Sequence, residues 1–187
     1  MEAFLVSTGI VALAEVGDKT QLLSLVLAAR YKRPWPIIAA ILVATLLNHF
    51  LAAALGAWLG HLISGDVLRW VLGVSFIAMA AWIMVPDKLD GDGPQLKNMS
   101  VFTTTLVLFF LAEMGDKTQI ATVALAAQYH AVATVVIGTT LGMMIANAPV
   151  VLMGEKIAKR LPVKVVHSVA AVIFAVLGVA ALAGWGA

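Results

Sequence analysis

Residues 13–21 read L-A-E-V-G-D-K-T-Q, and residues 111–119 read L-A-E-M-G-D-K-T-Q. Eight of the nine positions are identical at an offset of 98, and extending the comparison to Tyr31 and Tyr129 keeps 12 identities in 19. A match of that length and spacing marks an internal duplication. Both copies sit inside long apolar runs, at 3–29 and 100–127. Working outward, four further apolar runs follow at 35–60, 67–85, 131–153 and 164–184. Each of the six is long enough to cross a hydrocarbon core of about 30 Å at about 1.5 Å per residue. Turn and interface residues separate them: Pro34 and Pro36, Gly65-Asp66, the stretch from Pro86 to Pro94, Gln128-Tyr129-His130, and Leu161-Pro162.

Composition agrees with this partition. Of 187 residues, 62% are hydrophobic and 12% charged, the latter about half the share of a soluble domain, and mean hydropathy is +1.01. The longest gap between runs is about 14 residues, too short for a soluble domain. The absence of cysteine excludes disulfides and thiolate metal sites. A pI near 9.0 does not indicate nucleic acid, because the basic residues collect in short loops. The first run lacks a basic n-region and carries Glu15 and Asp18, so it reads as a retained span rather than a signal peptide.

Loop charge sets the orientation. Arg30, Lys32 and Arg33 follow the first run, Lys88 and Lys97 the third, and Lys156, Lys159, Arg160 and Lys164 the fifth, whereas the opposite side holds only Arg69. Both termini are therefore expected outside the cytoplasm. Three spans per half is an odd number, so the second half must enter the membrane inverted. The expected fold is an all-α integral membrane protein, with six transmembrane helices as two inverted three-helix repeats. Residues 1–85 form the first repeat, 86–99 a cytoplasmic linker, and 100–187 the second repeat.

The chemistry lies in the duplicated motif. Glu15 and Asp18, and likewise Glu113 and Asp116, are three residues apart, which puts each pair on one helix face near mid-membrane. An ionisable group there costs roughly 2.5–3.5 kcal/mol, so four acids require a partner, a proton or a metal ion. Simple pairing with Lys19 and Lys117 to pack the helices would supply partners. Convergence of two inverted copies on one place is expensive for packing alone. Four carboxylates and two ammonium groups leave a formal charge of −2, which one divalent cation or two protons would neutralise.

Other residues of the two halves extend this pattern. Gly17 and Gly115 admit two readings, local unwinding that frees carbonyl oxygens or close helix packing; packing is expected at Gly56, Gly60, Gly138 and Gly142. Thr20, Gln21, Thr118 and Gln119 add neutral oxygens beyond the acids. Asn48 and Asn147 fall at near-equivalent places, as interhelical glue or beside the cation. His49, unmatched in the other half, reads as a local hydrogen bonder, His61, His130 and His167 as interfacial, and Pro149 as a kink. Oxygen donors suit magnesium, calcium or manganese; a thioether from Met114, Met143 or Met144 would favour manganese over calcium, although methionine is commonly core filler.

The repeated Glu-x-Gly-Asp-Lys-Thr, at Glu15–Thr20 and Glu113–Thr118, resembles the double signature of a cation/proton exchanger family whose members move manganese and calcium in Golgi, chloroplasts and bacteria. The resemblance covers the whole chain and is greatest to the bacterial manganese exporters. It implies that Glu15, Asp18, Glu113 and Asp116 bind the ion and exchange it for protons, without a permanent cofactor, with manganese or calcium as substrate.

Export of a divalent cation against an inside-negative potential costs about 4.6 kcal/mol per 100 mV, at about 2.3 per charge. No phosphate loop is present and no ATP partner is expected, so two entering protons would cancel the electrical term. Gly-Asp within a membrane span also evokes intramembrane aspartyl proteases, but the two halves are too alike for differentiated catalytic roles, and no enzyme is expected. A carrier of a cationic organic solute and a channel are the remaining alternatives. The expected partners are the divalent cation and the bilayer, at the inner membrane of the cell.

Overall fold

The computed structural model describes residues 1–85, 99–154 and 162–184. Lys88, Lys97, Lys156, Lys159 and Arg160, with most of the expected linker, lie outside the described residues. Eight helices are described: α1 (Glu2–Glu15), α2 (Lys19–Tyr31), α3 (Pro34–Leu62), α4 (Gly65–Trp82), α5 (Val101–Glu113), α6 (Lys117–Tyr129), α7 (Val132–Met153) and α8 (Val163–Leu182).

Side-chain partition explains why these helices need an apolar solvent. On α3 the buried stripe recurs every three or four residues and is built of small or polar groups, including Ala40, Ala44, Thr45, Asn48, Ala52 and Gly56. The outward face carries Leu46, Leu47, Phe50, Leu51 and Leu55, all exposed. Water would not tolerate that face, whereas lipid does, and small residues inside let helices approach closely. Four helices, α3, α4, α7 and α8, are individually long and apolar enough to cross a membrane, and α5 is a shorter apolar helix. The chain is an all-helical membrane protein.

The runs expected as continuous spans at 3–29 and 100–127 are each broken once. The first divides into α1 and α2 at Val16–Asp18, the second into α5 and α6 at Met114–Asp116. The boundaries of the other runs agree to within a few residues. Matching positions also end the inner helices alike: Lys32 and His130, 98 apart, cap α2 and α6 in the left-handed region with φ of 52° and 49°.

The two halves interleave. The middle helix α3 packs on α5 and α6 of the other half, α7 packs on α1 and α2, and α4 packs on α8. Glycines permit these contacts, as expected for Gly56, Gly60, Gly138 and Gly142. A Cβ on Gly56 would lie 2.2 Å from the Val123 carbonyl of α6, and one on Gly142 would lie 2.6 Å from the Thr8 carbonyl of α1.

Candidate functional site

The two breaks have one geometry, and the motif explains it. Val16 and Met114 have φ, ψ of −64°, 116° and −63°, 120°. Gly17 and Gly115 follow with φ of +83° and +74°. The Asp18 and Asp116 amides each donate to the carbonyl three residues back, Glu15 and Glu113, at 3.1 Å. Extended i+1, positive φ at i+2 and a bond from i+3 to i define a type II turn, in which glycine is needed at i+2. Glu-x-Gly-Asp is thus an elbow: Glu ends one helix, Asp begins the next, and Gly makes the corner. The glutamines brace it, since Gly17 N–H donates to Gln21 Oε1 at 2.8 Å and Gly115 N–H to Gln119 Oε1 at 2.7 Å. The helix unwinds at both glycines, with the Glu15 and Glu113 carbonyls still accepting the turn bonds. Close packing applies at Gly17, where an added Cβ would lie 2.4 Å from Val163 Cγ1; at Gly115 no described residue lies within 4 Å.

The elbows bring acids from both halves together. One carboxylate oxygen from each of Glu15, Glu113 and Asp116 falls within 4.8 Å of the others, and all three residues are buried. Glu15 Oε2, Glu113 Oε1 and Asp116 Oδ2 have no hydrogen-bond partner among the described residues. A buried carboxylate oxygen left so is costly, and three acids that converge in this way make a cradle that could hold a cation. Asp18 is buried too, but outside this trio; its Oδ1 accepts from the Lys19 amide at 2.6 Å and caps α2. Asp116 makes no such cap on α6. Its Oδ1 instead lies 3.0 Å from Lys19 Nζ, an ion pair between the halves.

The neutral residues divide by what they touch. Thr20 donates to the Glu15 carboxylate, and Thr118 donates to Glu113 Oε2 at 3.0 Å, so each hydroxyl orients the acid of its own half. Asn147 Nδ2 approaches Glu15 Oε1 at 3.3 Å and Met143 Sδ at 3.1 Å, while its Oδ1 accepts from Ser24 at 2.9 Å. Asn48 makes no matching contact: its Nδ2 donates to the Phe110 carbonyl at 3.1 Å, and its Oδ1 accepts from Gln119 at 3.4 Å. Gln21 Nε2 donates to the Ala146 carbonyl at 2.9 Å. Of the three methionines, Met143 is buried beside Asn147, Met144 packs in an apolar cluster with Ile41 and Val151, and Met114 is 57% exposed.

Two histidine expectations change. His49 is buried, yet neither ring nitrogen has a partner among the described residues, so it is not the local hydrogen bonder expected. A sequence shows that a polar ring is enclosed, not which groups come within reach of it. His167 is also buried rather than interfacial; its Nε2 donates to the Val16 carbonyl at 2.6 Å. That contact, with Val163 against Gly17, lays the first turns of α8 over the first elbow. His167 and Ser24 were the site residues that the motif did not reveal, because neither lies in the duplicated segment's identities.

The family described as "Divalent cation/proton antiporter GDT1" matches residues 3–91 and 101–186. The chain belongs to the GDT1 family. A Vibrio cholerae protein described as "Putative manganese exporter" is 52% identical over 181 residues, covering 96% of this chain and 90% of that one. "GDT1-like protein 4" of Oryza sativa subsp. indica is 28% identical over 200 residues, 92% of this chain and 70% of its own length. "GDT1-like protein 5" of Arabidopsis thaliana is 25% identical over 220 residues, 97% and 96% of the two chains. No solved structure matches the chain at a significant level. The matched regions include both elbows, so the paired Glu-x-Gly-Asp turns fall within the GDT1 homology.

Proposed function

We propose that this GDT1 protein exports manganese from the cytoplasm across the inner membrane in exchange for protons. The observation that carries the reading is the cradle of Glu15, Glu113 and Asp116, buried oxygens from both halves within 4.8 Å. With the Lys19 ammonium counted, three carboxylates and one ammonium leave the metal-free centre at a formal charge of −2, which draws a divalent cation or protons to it. Glu15, Glu113 and Asp116 are the direct ligands, and Asp18 completes the acidic set from the first elbow. Thr20, Thr118 and Asn147 hold the glutamates in place; Gln21 and Gln119 hold the elbows, and Asn48 supports the second of these through Gln119. The Vibrio cholerae relative, described as a manganese exporter at 52% identity, supports manganese as the ion. Oxygen donors alone suit calcium equally, and calcium/proton exchange is the second reading.

Each broken pair, α1–α2 and α5–α6, acts as one span, giving six. The halves 1–85 and 100–187 are inverted repeats with both termini outside, a reading supported by the equal elbow geometry at an offset of 98 and by the lysines and arginines of the odd-numbered loops. Alternating access draws support from the unequal cover of the elbows. Val163 and His167 lie over Gly17 and Val16, whereas no described residue covers the second elbow at Gly115. In this cycle the cradle protonates from outside, turns inward, releases two protons and takes up the metal, cancelling about 4.6 kcal/mol per 100 mV of electrical work.

Manganese and calcium flux into proteoliposomes with an imposed pH gradient tests the reading, with Asp116→Asn as control. Gradient-driven manganese flux that vanishes in the variant is expected. Flux indifferent to the gradient would remove the proton coupling, and flux of neither ion would remove the cation reading altogether.

A further inference from the structure

We propose that Lys19 is a tethered counter-cation that occupies the acidic cradle when no metal is bound and makes the site selective for divalent over monovalent ions. The inference rests on the reading of Glu15, Glu113 and Asp116 as the cation ligands. Its basis is the 3.0 Å pair between Lys19 Nζ and Asp116 Oδ1. Asp116 is one of the three converging acids, so the ammonium holds a ligand that a metal ion would need. The pair is also lopsided. Asp116 keeps only 3% of its side-chain surface exposed, whereas Lys19 keeps 27%. The acid is fixed inside, and the lysine retains an open side along a flexible four-carbon stem.

Lys19 is placed to act in this way by the elbow itself. Asp18 spends one oxygen on the Lys19 amide as the cap of α2, which starts the helix at Lys19 and sends its side chain across to the other half. Asp116, at the matching position, makes no cap bond to α6 and faces the ammonium instead.

The consequence follows from charge. A monovalent ion that displaced the ammonium from Asp116 would exchange one unit of positive charge for another and lose its own hydration in the process. A divalent ion adds one unit net to a centre of formal charge −2, and in a low-dielectric interior that unit is worth several times what it is worth in water. The tethered ammonium thus sets a threshold that sodium and potassium do not clear. It also keeps the empty cradle from standing with all three acids unpaired, which permits an empty carrier to persist in the bilayer.

The test uses the purified full chain in detergent, with manganese alone titrated calorimetrically into wild type, Lys19→Met, Lys19→Gln and Lys19→Arg. Titrations are run in sodium chloride and in N-methylglucamine chloride at equal ionic strength. In N-methylglucamine, Lys19→Met and Lys19→Gln should bind manganese about tenfold more tightly than wild type, because a competing charge is gone. In sodium they should lose about that gain, while wild type and Lys19→Arg respond to neither exchange. A purely structural lysine predicts the opposite sign, weaker binding when Asp116 loses its support. Neutral variants that bind manganese no more tightly than wild type, or that ignore sodium, overturn the inference. If Lys19→Met does not give monodisperse protein, Lys19→Gln decides. Wild type that binds no manganese would instead overturn the assignment of the cradle.

Discussion

Alanine at the two elbow glycines is expected to separate what the identical motifs share from what they do not. Gly17 and Gly115 have φ of +83° and +74°, so an alanine at either carries a left-handed backbone cost of about 1–2 kcal/mol. At Gly115 no further cost arises from the described residues, since none of them lies within 4 Å of the added Cβ. At Gly17 the Cβ also meets Val163 Cγ1 at 2.4 Å and Cγ2 at 3.0 Å. Valine is branched at Cβ and cannot swing its methyls aside, so α8 must move, at a further cost of about 1–3 kcal/mol. In a chain of this size 1 kcal/mol corresponds to about 2–4 °C of melting temperature. Gly115→Ala should therefore lower the melting point of the detergent-solubilised protein by about 2–8 °C, and Gly17→Ala by about twice as much. Intrinsic tryptophan fluorescence during a thermal ramp reads both. Equal shifts, or a larger shift for Gly115→Ala, would mean that α8 does not rest on the first elbow, and the argument for unequal cover would fall with it.

Two further contrasts test the site and the packing. Asn147→Ala removes the amide 3.3 Å from Glu15 Oε1 and should weaken manganese binding about tenfold, since hydrogen bonds to charged groups contribute roughly 1.5–3 kcal/mol. Asn48→Ala, which touches no acid, should weaken it less than about threefold; calorimetric titration giving the reverse order would refute the assignment. Gly56→Ala puts a Cβ 2.2 Å from the Val123 carbonyl and should destabilise by about 3 kcal/mol. Gly9→Ala, within α1 and with no described residue within 4 Å of the added Cβ, should stabilise by about 0.5–1 kcal/mol; melting curves that rank the two the other way would contradict the α3–α6 contact.

Much of the fold was legible because its signals are local. Apolar length located the helices, and the duplicated nine-residue segment located the acids and paired the halves. The elbow was only half legible. A glycine in an apolar run fits a tight helix contact as well as a turn, and only the positive φ at Gly17 and Gly115 decides between them. Contacts between distant residues were not legible at all. Asn48 and Asn147 look equivalent in sequence, yet only Asn147 reaches a glutamate, because α7 carries it against α1. His167 looks interfacial by its place near the start of the last run, yet the packing of α8 on α1 takes it to the Val16 carbonyl. Lys19 stands beside Asp18 in sequence, yet its ammonium pairs with Asp116, 97 residues away, a pairing that no local pattern encodes.

The interleaving of α3 with α5–α6, and of α7 with α1–α2, has a consequence for biogenesis. While the ribosome is still making the second half, α3 has no surface against which to bury Asn48 and its glycine seam. A nascent first half must wait in the bilayer with those groups uncovered, and α1 stays without α7 until later still. Completion of the bundle is therefore a late event, governed by the arrival of the last helices. It also follows that neither half is a self-sufficient building block: two three-helix pieces could assemble only with each other, as partners in trans.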